Sequence, residues 1–314
     1  MLSKEEIERR LTTRWAACNI VYKDVTGSTN NDARDLAAEG APHGTLVVAD
    51  KQEAGRGSRG RSWETPAGSN IAMSLVIRPT APADRISMLT LVMGLSVAEG
   101  VNLAIAETCA DAALAQAGTL KDAAVTQESA SNGSRLWAQI KWPNDVVIDK
   151  KKICGILTEL HMNPDNSIRD VVIGVGINVN MTQFPDEIKG VAGSLLTQTG
   201  VRVDRSLVVA RVMERFEENY HKFQKGYDLS LLKDQYEVRL INKDEKVKIL
   251  DAGKTGGTPA AWDARSGTVG TALGITDMGE LLVDVTDEAE DSDHRNIITV
   301  GAGEVSVRGL YSYV

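Results

Sequence analysis

Histidine and cysteine are scarce in this chain of 314 residues, four and three respectively. His43, His161, His221 and His294 stand apart from one another and from every polar cluster, and are expected as surface polar groups. Neither a Ser-His-Asp triad nor a histidine-based zinc site is suggested. Cys18, Cys109 and Cys154 are odd in number and lack metal or redox spacing, which fits a reduced cytoplasm. Positive charge is short as well. Lys and Arg number 35 against 43 Asp and Glu, a net −8, and an acidic balance argues against sequence-independent nucleic-acid binding. The start of the chain, Met1 to Arg10, has no apolar core for a signal peptide. No apolar run approaches the ~18 residues of a bilayer span, so no membrane association is expected. There is no P-loop G-x-x-x-x-G-K-[ST]. What remains is a chain 42% hydrophobic, ordinary for a globular protein and long enough for one large domain plus a small one.

Against these absences stands one dense motif, Gly55-Arg-Gly-Ser-Arg-Gly-Arg-Ser-Trp63. Glycine lets backbone amides approach a ligand. Arginine keeps its charge and offers a planar fork of donors that fits phosphate and carboxylate oxygens. A cationic loop closed by a flat aromatic suits an anionic ligand that carries a ring, such as a nucleotide. Gly55, Gly57 and Gly60 formally satisfy G-x-G-x-x-G, but Pro66 and Gly68 follow, and then the strand-like Ile71-Ala-Met-Ser-Leu-Val-Ile77. A dinucleotide fingerprint needs a helix there, so a Rossmann site is not expected.

The rest of the chain reads as a large and a small unit. Residues 4–15 carry a short amphipathic helix pattern. A strand at 19–24 leads to Thr26-Gly-Ser-Thr-Asn-Asn-Asp32, a cluster able to cap the helix that continues through Ala33, Leu36 and Ala37. Leu46–Asp50 and Ile71–Ile77 read as buried strands, 86–105 as a helix, and 107–135 as an extended helix plus a surface loop. Strands are expected at 136–141, 146–148, 153–160 and 170–178, and a long helix at 205–225. Short loops between successive strands favour antiparallel pairing. The expected fold is therefore α+β, a mixed, mostly antiparallel sheet with helices on one face. From about residue 240, strand-like runs at 246–250, 268–273, 281–285, 296–300 and 304–307 alternate with Gly- and Asp-rich turns, the pattern of a small β-barrel. Asp287–Asp293 is expected as a solvated hairpin tip. The division expected is 1–238 and 239–314.

Four further clusters accompany the arginine loop. Ser28-Thr-Asn30 sits at a strand-to-helix junction, where it also reads as a plain N-cap. Lys141-Trp-Pro-Asn-Asp145 crowds a cation, an amide and a carboxylate around a proline. Lys151-Lys-Ile-Cys-Gly-Ile-Leu157 places two cations before a strand that contains a glycine, a mark of close backbone or ligand approach. Val172-Ile-Gly-Val-Gly-Ile-Asn178 offers glycines and an amide. On neighbouring strands these describe a concave site that is cationic, glycine-lined and furnished with neutral polar groups. With no nucleophile paired to a base, the chemistry rests on positioning and charge stabilisation, as in phosphoryl or nucleotidyl transfer.

Ser28-Thr-Asn30, Gln52 with Gly55–Arg61, Trp63, Lys141–Asp145, Lys152–Gly155 and Gly174–Asn178 occur in the order and spacing of the biotin protein ligases, and Gly303–Arg308 is similar to that family's small barrel. The chain resembles this family from about residue 15 to its end. The resemblance implies a catalytic domain like those of class II aminoacyl-tRNA synthetases, followed by an SH3-like barrel. It implies that biotin and ATP, with Mg2+, form biotinyl-5′-AMP and pyrophosphate, and that a lysine of a biotin carboxyl carrier protein then takes the biotin. By the same resemblance Ser28, Thr29, Asn30 and Gln52 bind the ureido head, and Gly55, Gly57 and Gly155 lie against biotin. Arg56 and Arg61 hold the carboxylate and phosphates and, with Lys152, are the catalytic cations. Arg59, Trp63, Asn178, Glu304 and Arg308 belong to the ATP side, Trp63 stacking on adenine. Asp145 is a candidate to accept or orient the proton of the incoming amine. The loop's glycines are costly to fix in the free state, so ordering with biotin, and addition of biotin before ATP, are expected.

Two departures stand out. Ser58 replaces the family's usual arginine, which removes a cation over the intermediate and predicts faster loss of biotinyl-AMP. The stretch Thr108–Arg135 is longer than the family's usual connection and has no functional reading. Some relatives carry an N-terminal helix-turn-helix of ~60 residues; about twenty precede the first strand here, so DNA binding is not expected. A lipoate or octanoate ligase of the same fold and a non-catalytic biotin-sensing module are the competing readings. The polar cluster Ser28–Asn30 with Gln52 favours a ureido ring over a dithiolane, and the retained cations weigh against a sensor. Relatives occur as monomers and as dimers paired through sheet edges, and a homodimer is left open. The acceptor carboxylase is not specified.

Overall fold

A computed structural model describes residues 2–57, 60, 63, 65–119, 138–251, 267–286, 295–301 and 305–309. Seven strands, β1 Asn19–Thr26, β2 Thr45–Gln52, β3 Ile71–Ile77, β4 Gln139–Lys141, β5 Asp145–Ile148, β6 Lys151–Met162 and β7 Ile168–Ile177, form one sheet in the order β1-β2-β3-β7-β6-β5-β4. Only β1 and β2 are parallel. They are joined by the helix α2 (Thr29–Ala38), in line with the rule that parallel neighbours require a crossover. Every other pair is antiparallel, so the mixed, mostly antiparallel sheet expected from the sequence is present.

The pleat divides each strand between two layers. On β3, Ile71, Met73, Leu75 and Ile77 join the main core, while Val76 belongs to a second cluster with Ala33, Ala37, Val47 and Val172. The main core lies under two long helices, α3 (Met88–Thr119) and α5 (Arg205–Gln224), which pack on each other. The second cluster lies under α2. The expectation of helices on one face therefore holds for α3 and α5 but not for α2, which covers the other face. With both faces covered, all seven residues of β3 are buried.

The segment Ala83–Leu114 is long and apolar enough to cross a membrane by length and composition, although no uninterrupted apolar run in the sequence is. In its most apolar window 78% of the residues are buried against the protein. This is the position of a core helix rather than a lipid-facing one. The helix expected at 4–15 is shorter. α1 spans Lys4–Glu8, because backbone N–H groups beyond it are captured from outside. Glu214 accepts from Thr12, and Glu217 from Arg14, Trp15 and Ala16. α3 continues the expected 86–105 helix to Thr119, and residues 120–137 lie outside the described set. A short helix α4 (Leu195–Thr199) begins on a capping box of Ser194 and Thr197.

After α6 (Lys233–Glu237) the chain still touches the large sheet. Ile140 donates to the Arg239 carbonyl at 2.7 Å, and Ile241 donates back to Ile140 at 2.9 Å. The second sheet, β8 Lys246–Asp251, β9 Val269–Ile275, β10 Leu281–Asp284, β11 Ile297–Val300 and β12 Val305–Gly309, is antiparallel in the order β11-β10-β9-β8-β12. It is compatible with the small barrel expected. The hairpin tip expected at 287–293 lies outside the described residues. Trp142, 1% exposed, ties the end of β4 to the chain beyond α6: its indole Nε1 donates to the Gly279 carbonyl at 3.0 Å, and its amide donates to Asn242 at 2.9 Å.

Candidate active site

On the α2 face of the sheet, β6 and β7 lack side chains at adjoining positions. Gly155 pairs with Gly176, and Leu157 with Gly174. The missing side chains form a trough that two other residues fill. A Cβ on Gly174 would lie 1.9 Å from Asn30 Oδ1, and one on Gly176 would lie 2.3 Å from Trp63 Nε1. Glycine is required here by close approach, not by backbone angle. The resulting cleft is partly open to solvent. Its lining includes Ser28, Thr29, Asn30, Gln52, Arg56, Gly57, Trp63, Lys152 and Gly155. These come from the α2 N-terminus, the β2 end, the arginine loop and β6, which the sequence separates by more than a hundred residues.

One end of the cleft is a buried network of neutral groups. Ser28, Thr29 and Asn30 are 3%, 3% and 6% exposed. Ser28 has the extended backbone of an N-cap, but its side chain makes no capping bond; the expected cap does not form, and the hydroxyl-bearing side chain lines the cleft instead. The Gln52 Oε1 accepts from the Thr29 amide at 2.8 Å and from its hydroxyl at 3.1 Å. Ser74, directly beneath on β3, donates to Asn30 Oδ1 at 2.6 Å and lies 2.8 Å from the Thr29 hydroxyl. The Asn30 amide nitrogen donates to Glu159 Oε2 at 2.7 Å.

Two cations share the cleft, Arg56 beside this network and Lys152 beside Trp63. Lys152 Nζ lies 2.5 Å from Asp145 Oδ1 and 5.5 Å from the Trp63 ring centroid. Its backbone is clamped, the amide donating to Val191 and the carbonyl accepting from Gly193. Arg56 pairs with Glu159 at 3.0 Å. The neck of the arginine loop is closed by the Trp63 amide, which donates to the Gly55 carbonyl at 2.9 Å, and by the Gln52–Thr65 bridge. Just beyond the neck, the Gly68 amide donates to Asp50, which is held in turn by buried Arg205 at 2.5 Å. Cys154 points away from the cleft into the main core, and burial pushes its thiol well above the usual range, so it offers no thiolate.

Asn178, expected at the nucleotide, does not line the cleft. Its amide nitrogen donates to the Gly193 carbonyl and its oxygen accepts from Asn70, which ties three chain segments together. Arg308 lies in β12, paired with Lys248. Arg59, Arg61, Ser58 and Glu304 lie outside the described residues. Glu159 and Ser74 were not singled out from the sequence. A period-2 count from Gly155 places Glu159 on the glycine face, but nothing local to Ser74 marks it.

Of the histidines, His221 is exposed as expected. His43 is partly buried against Trp15 and Tyr220 and accepts from the Arg78 amide at 3.0 Å. His161 lies 2.6 Å from buried Asp170. His294 lies outside the described residues. Among the described residues no group of three or more His, Cys, Asp or Glu could hold a metal ion.

Residues 22–178 match the biotin/lipoate A/B protein ligase family. The chain is 36% identical over 288 residues to the bifunctional ligase/repressor BirA of Bacillus spizizenii, covering 90% of this chain and 74% of that protein. It is 30% identical over 273 residues to the biotin–[acetyl-CoA-carboxylase] ligase of Mycobacterium tuberculosis, covering 86% and 84%. Among solved structures, the biotin protein ligase of Aquifex aeolicus in complex with biotin and ATP aligns over 93% of this chain and 99% of that one, at 28% identity and TM-score 0.64.

Proposed function

This chain belongs to the biotin/lipoate A/B protein ligase family, and on that premise we propose that it is an ATP-dependent biotin protein ligase. It joins biotin to AMP, releases pyrophosphate and passes biotin to a lysine of a biotin carboxyl carrier protein. One observation carries this reading: the neutral donors and acceptors of Ser28, Thr29, Asn30 and Gln52 share one cleft with the cations Arg56 and Lys152, as a ligand with a urea head and an acid tail requires. The donor and acceptor pattern supports it. Gln52 Oε1 is engaged by Thr29, and its amide nitrogen, which donates one proton to Thr65 at 3.5 Å, has a second to donate, whereas Asn30 offers an acceptor oxygen. A urea carries both complementary functions, and leaving one buried group unpaired costs ~1–3 kcal/mol.

Lys152 and Arg56 are assigned to the carboxylate and the phosphate it attacks, joined by Arg61 and Arg59. The obstacle is the approach of two anions. Fixed cations reduce it in a site where water no longer screens them, and loss of one such contact typically costs ~10²-fold in rate. Trp63 is assigned to adenine. Asn178, Glu304 and Arg308 remain proposals for the ATP side, with Asn178 acting through the backbone it holds. Mg2+ is proposed to enter on the ATP phosphates, and no residue of this chain is assigned to it. In the second step Asp145, beside Lys152, is proposed to take or orient the amine proton. We assign the chemistry to 1–238, with 239–314 as a smaller unit.

Biotin-dependent exchange of pyrophosphate into ATP tests the reading. Exchange with lipoate in place of biotin would shift it to the lipoate branch of the family. Biotin binding without exchange would make the protein a sensor.

A further inference from the structure

We propose that Glu159 is a positioning residue that sets the polarity of the head-group end of the cleft and, without substrate, holds an arginine assigned to the acid tail. The inference rests on the biotin reading above. A single carboxylate oxygen, Oε2, accepts from Asn30 Nδ2 at 2.7 Å and from Arg56 at 3.0 Å. An ionised carboxylate only accepts. The nitrogen of Asn30 must therefore face Glu159, and the oxygen must face Ser74, whose hydroxyl donates to it at 2.6 Å. A carbonyl oxygen has two lone pairs. The one not used by Ser74 is left for an N–H donor in the cleft, such as a ureido nitrogen.

The same carboxylate competes with the substrate for Arg56. An acid tail that enters the cleft must take the guanidinium from Glu159, so the pairing taxes binding while it keeps the arginine beside the site. The two functions separate chemically. Gln at 159 keeps a neutral acceptor for Asn30 but releases the charge on Arg56, whereas Ala removes both. Substitutions at one position should therefore act in opposite directions.

The test is direct biotin binding by calorimetry to wild type, Glu159→Gln and Glu159→Ala, with circular dichroism melting as the check of folding. Glu159→Gln should bind biotin a few-fold tighter, and Glu159→Ala roughly ten- to a hundred-fold weaker, the loss expected for a hydrogen bond to a charged group. The gain in Glu159→Gln should vanish in an Arg56→Ala background. A purely structural Glu159 would weaken binding in both variants in step with their melting temperatures, and that result overturns the proposal. A gain that persists without Arg56 overturns the competition. Wild type that binds no biotin at all overturns the proposed function itself, a result distinct from either of these.

Discussion

Replacing Gly174 by alanine puts the glycine trough to a quantitative test. The new Cβ would sit 1.9 Å from Asn30 Oδ1, where ordinary contact begins near 3.4 Å. Gly174 lies in β7, between β3 and β6, so the strand cannot yield and the Asn30 side chain must move by about 1.5 Å. Its bonds to Ser74 and Glu159, 2.6 and 2.7 Å long, cannot both survive a shift of that size. A neutral bond contributes ~0.5–1.5 kcal/mol and one to a charged group ~1.5–3 kcal/mol. Gly174→Ala should thus destabilise by about 2–4.5 kcal/mol if both are lost and weaken biotin at least ten-fold. Asn30→Ala removes the atom that the new methyl meets. In the double variant the clash is gone, so the two costs should fall short of additivity by ~1–3 kcal/mol, the coupling seen between residues in contact. Urea unfolding of wild type, both single variants and the double variant measures this coupling. Additivity within ~0.5 kcal/mol would mean that Asn30 does not fill the trough, and the account of the head-group end would fail.

Lys152→Ala should lower the rate of biotin-dependent pyrophosphate exchange by ~10²-fold or more; a loss below about three-fold would remove Lys152 from the chemistry. Trp63→Ala should raise the KM for ATP about ten-fold, from lost base stacking of ~1–3 kcal/mol; an unaltered ATP KM counts against stacking. Burial, and then Arg78, hold the His43 imidazole below its ordinary value. Its contribution to stability is therefore complete above the unfolded value of ~6.5 and declines as pH falls through the lower folded value. Wild type should lose more stability than His43→Asn between about pH 7 and pH 5; parallel melting curves would contradict this. Ser58→Arg should slow the release of biotinyl-AMP in trapping experiments, and equal off-rates would dismiss the missing cation as a cause of leakage.

Strands such as Ile71–Ile77 were legible as predominantly apolar stretches, here with Ser74 as the one polar residue. The helices were legible from their stripes, as along Leu207, Val208, Val212, Phe216 and Tyr220. Where local reading fell short, a distant group had intervened. The N-terminal helix stops at Glu8 while Glu214 and Glu217 take the amides beyond it. Ser28 adopts a cap's backbone without a cap's hydrogen bond. Asn178 reads as a ligand group, yet both ends of its amide are engaged by Asn70 and Gly193.

Residue type and spacing alone determined the chemistry on offer: neutral amides and hydroxyls at 28–30 and 52, fixed cations at 56 and 152, and glycines at 155, 174 and 176 where a ligand can approach. Those properties belong to each residue whatever surrounds it. Tertiary structure decided which of them meet and which way they face. The pairing of β6 with β7 set Gly155 against Gly176, and the pleat carried Glu159 and Ser74 to the same face. Only there could one carboxylate touch both Asn30 and Arg56. A side chain's partners depend on register and on the opposing layer, and neither is written in the residues next to it.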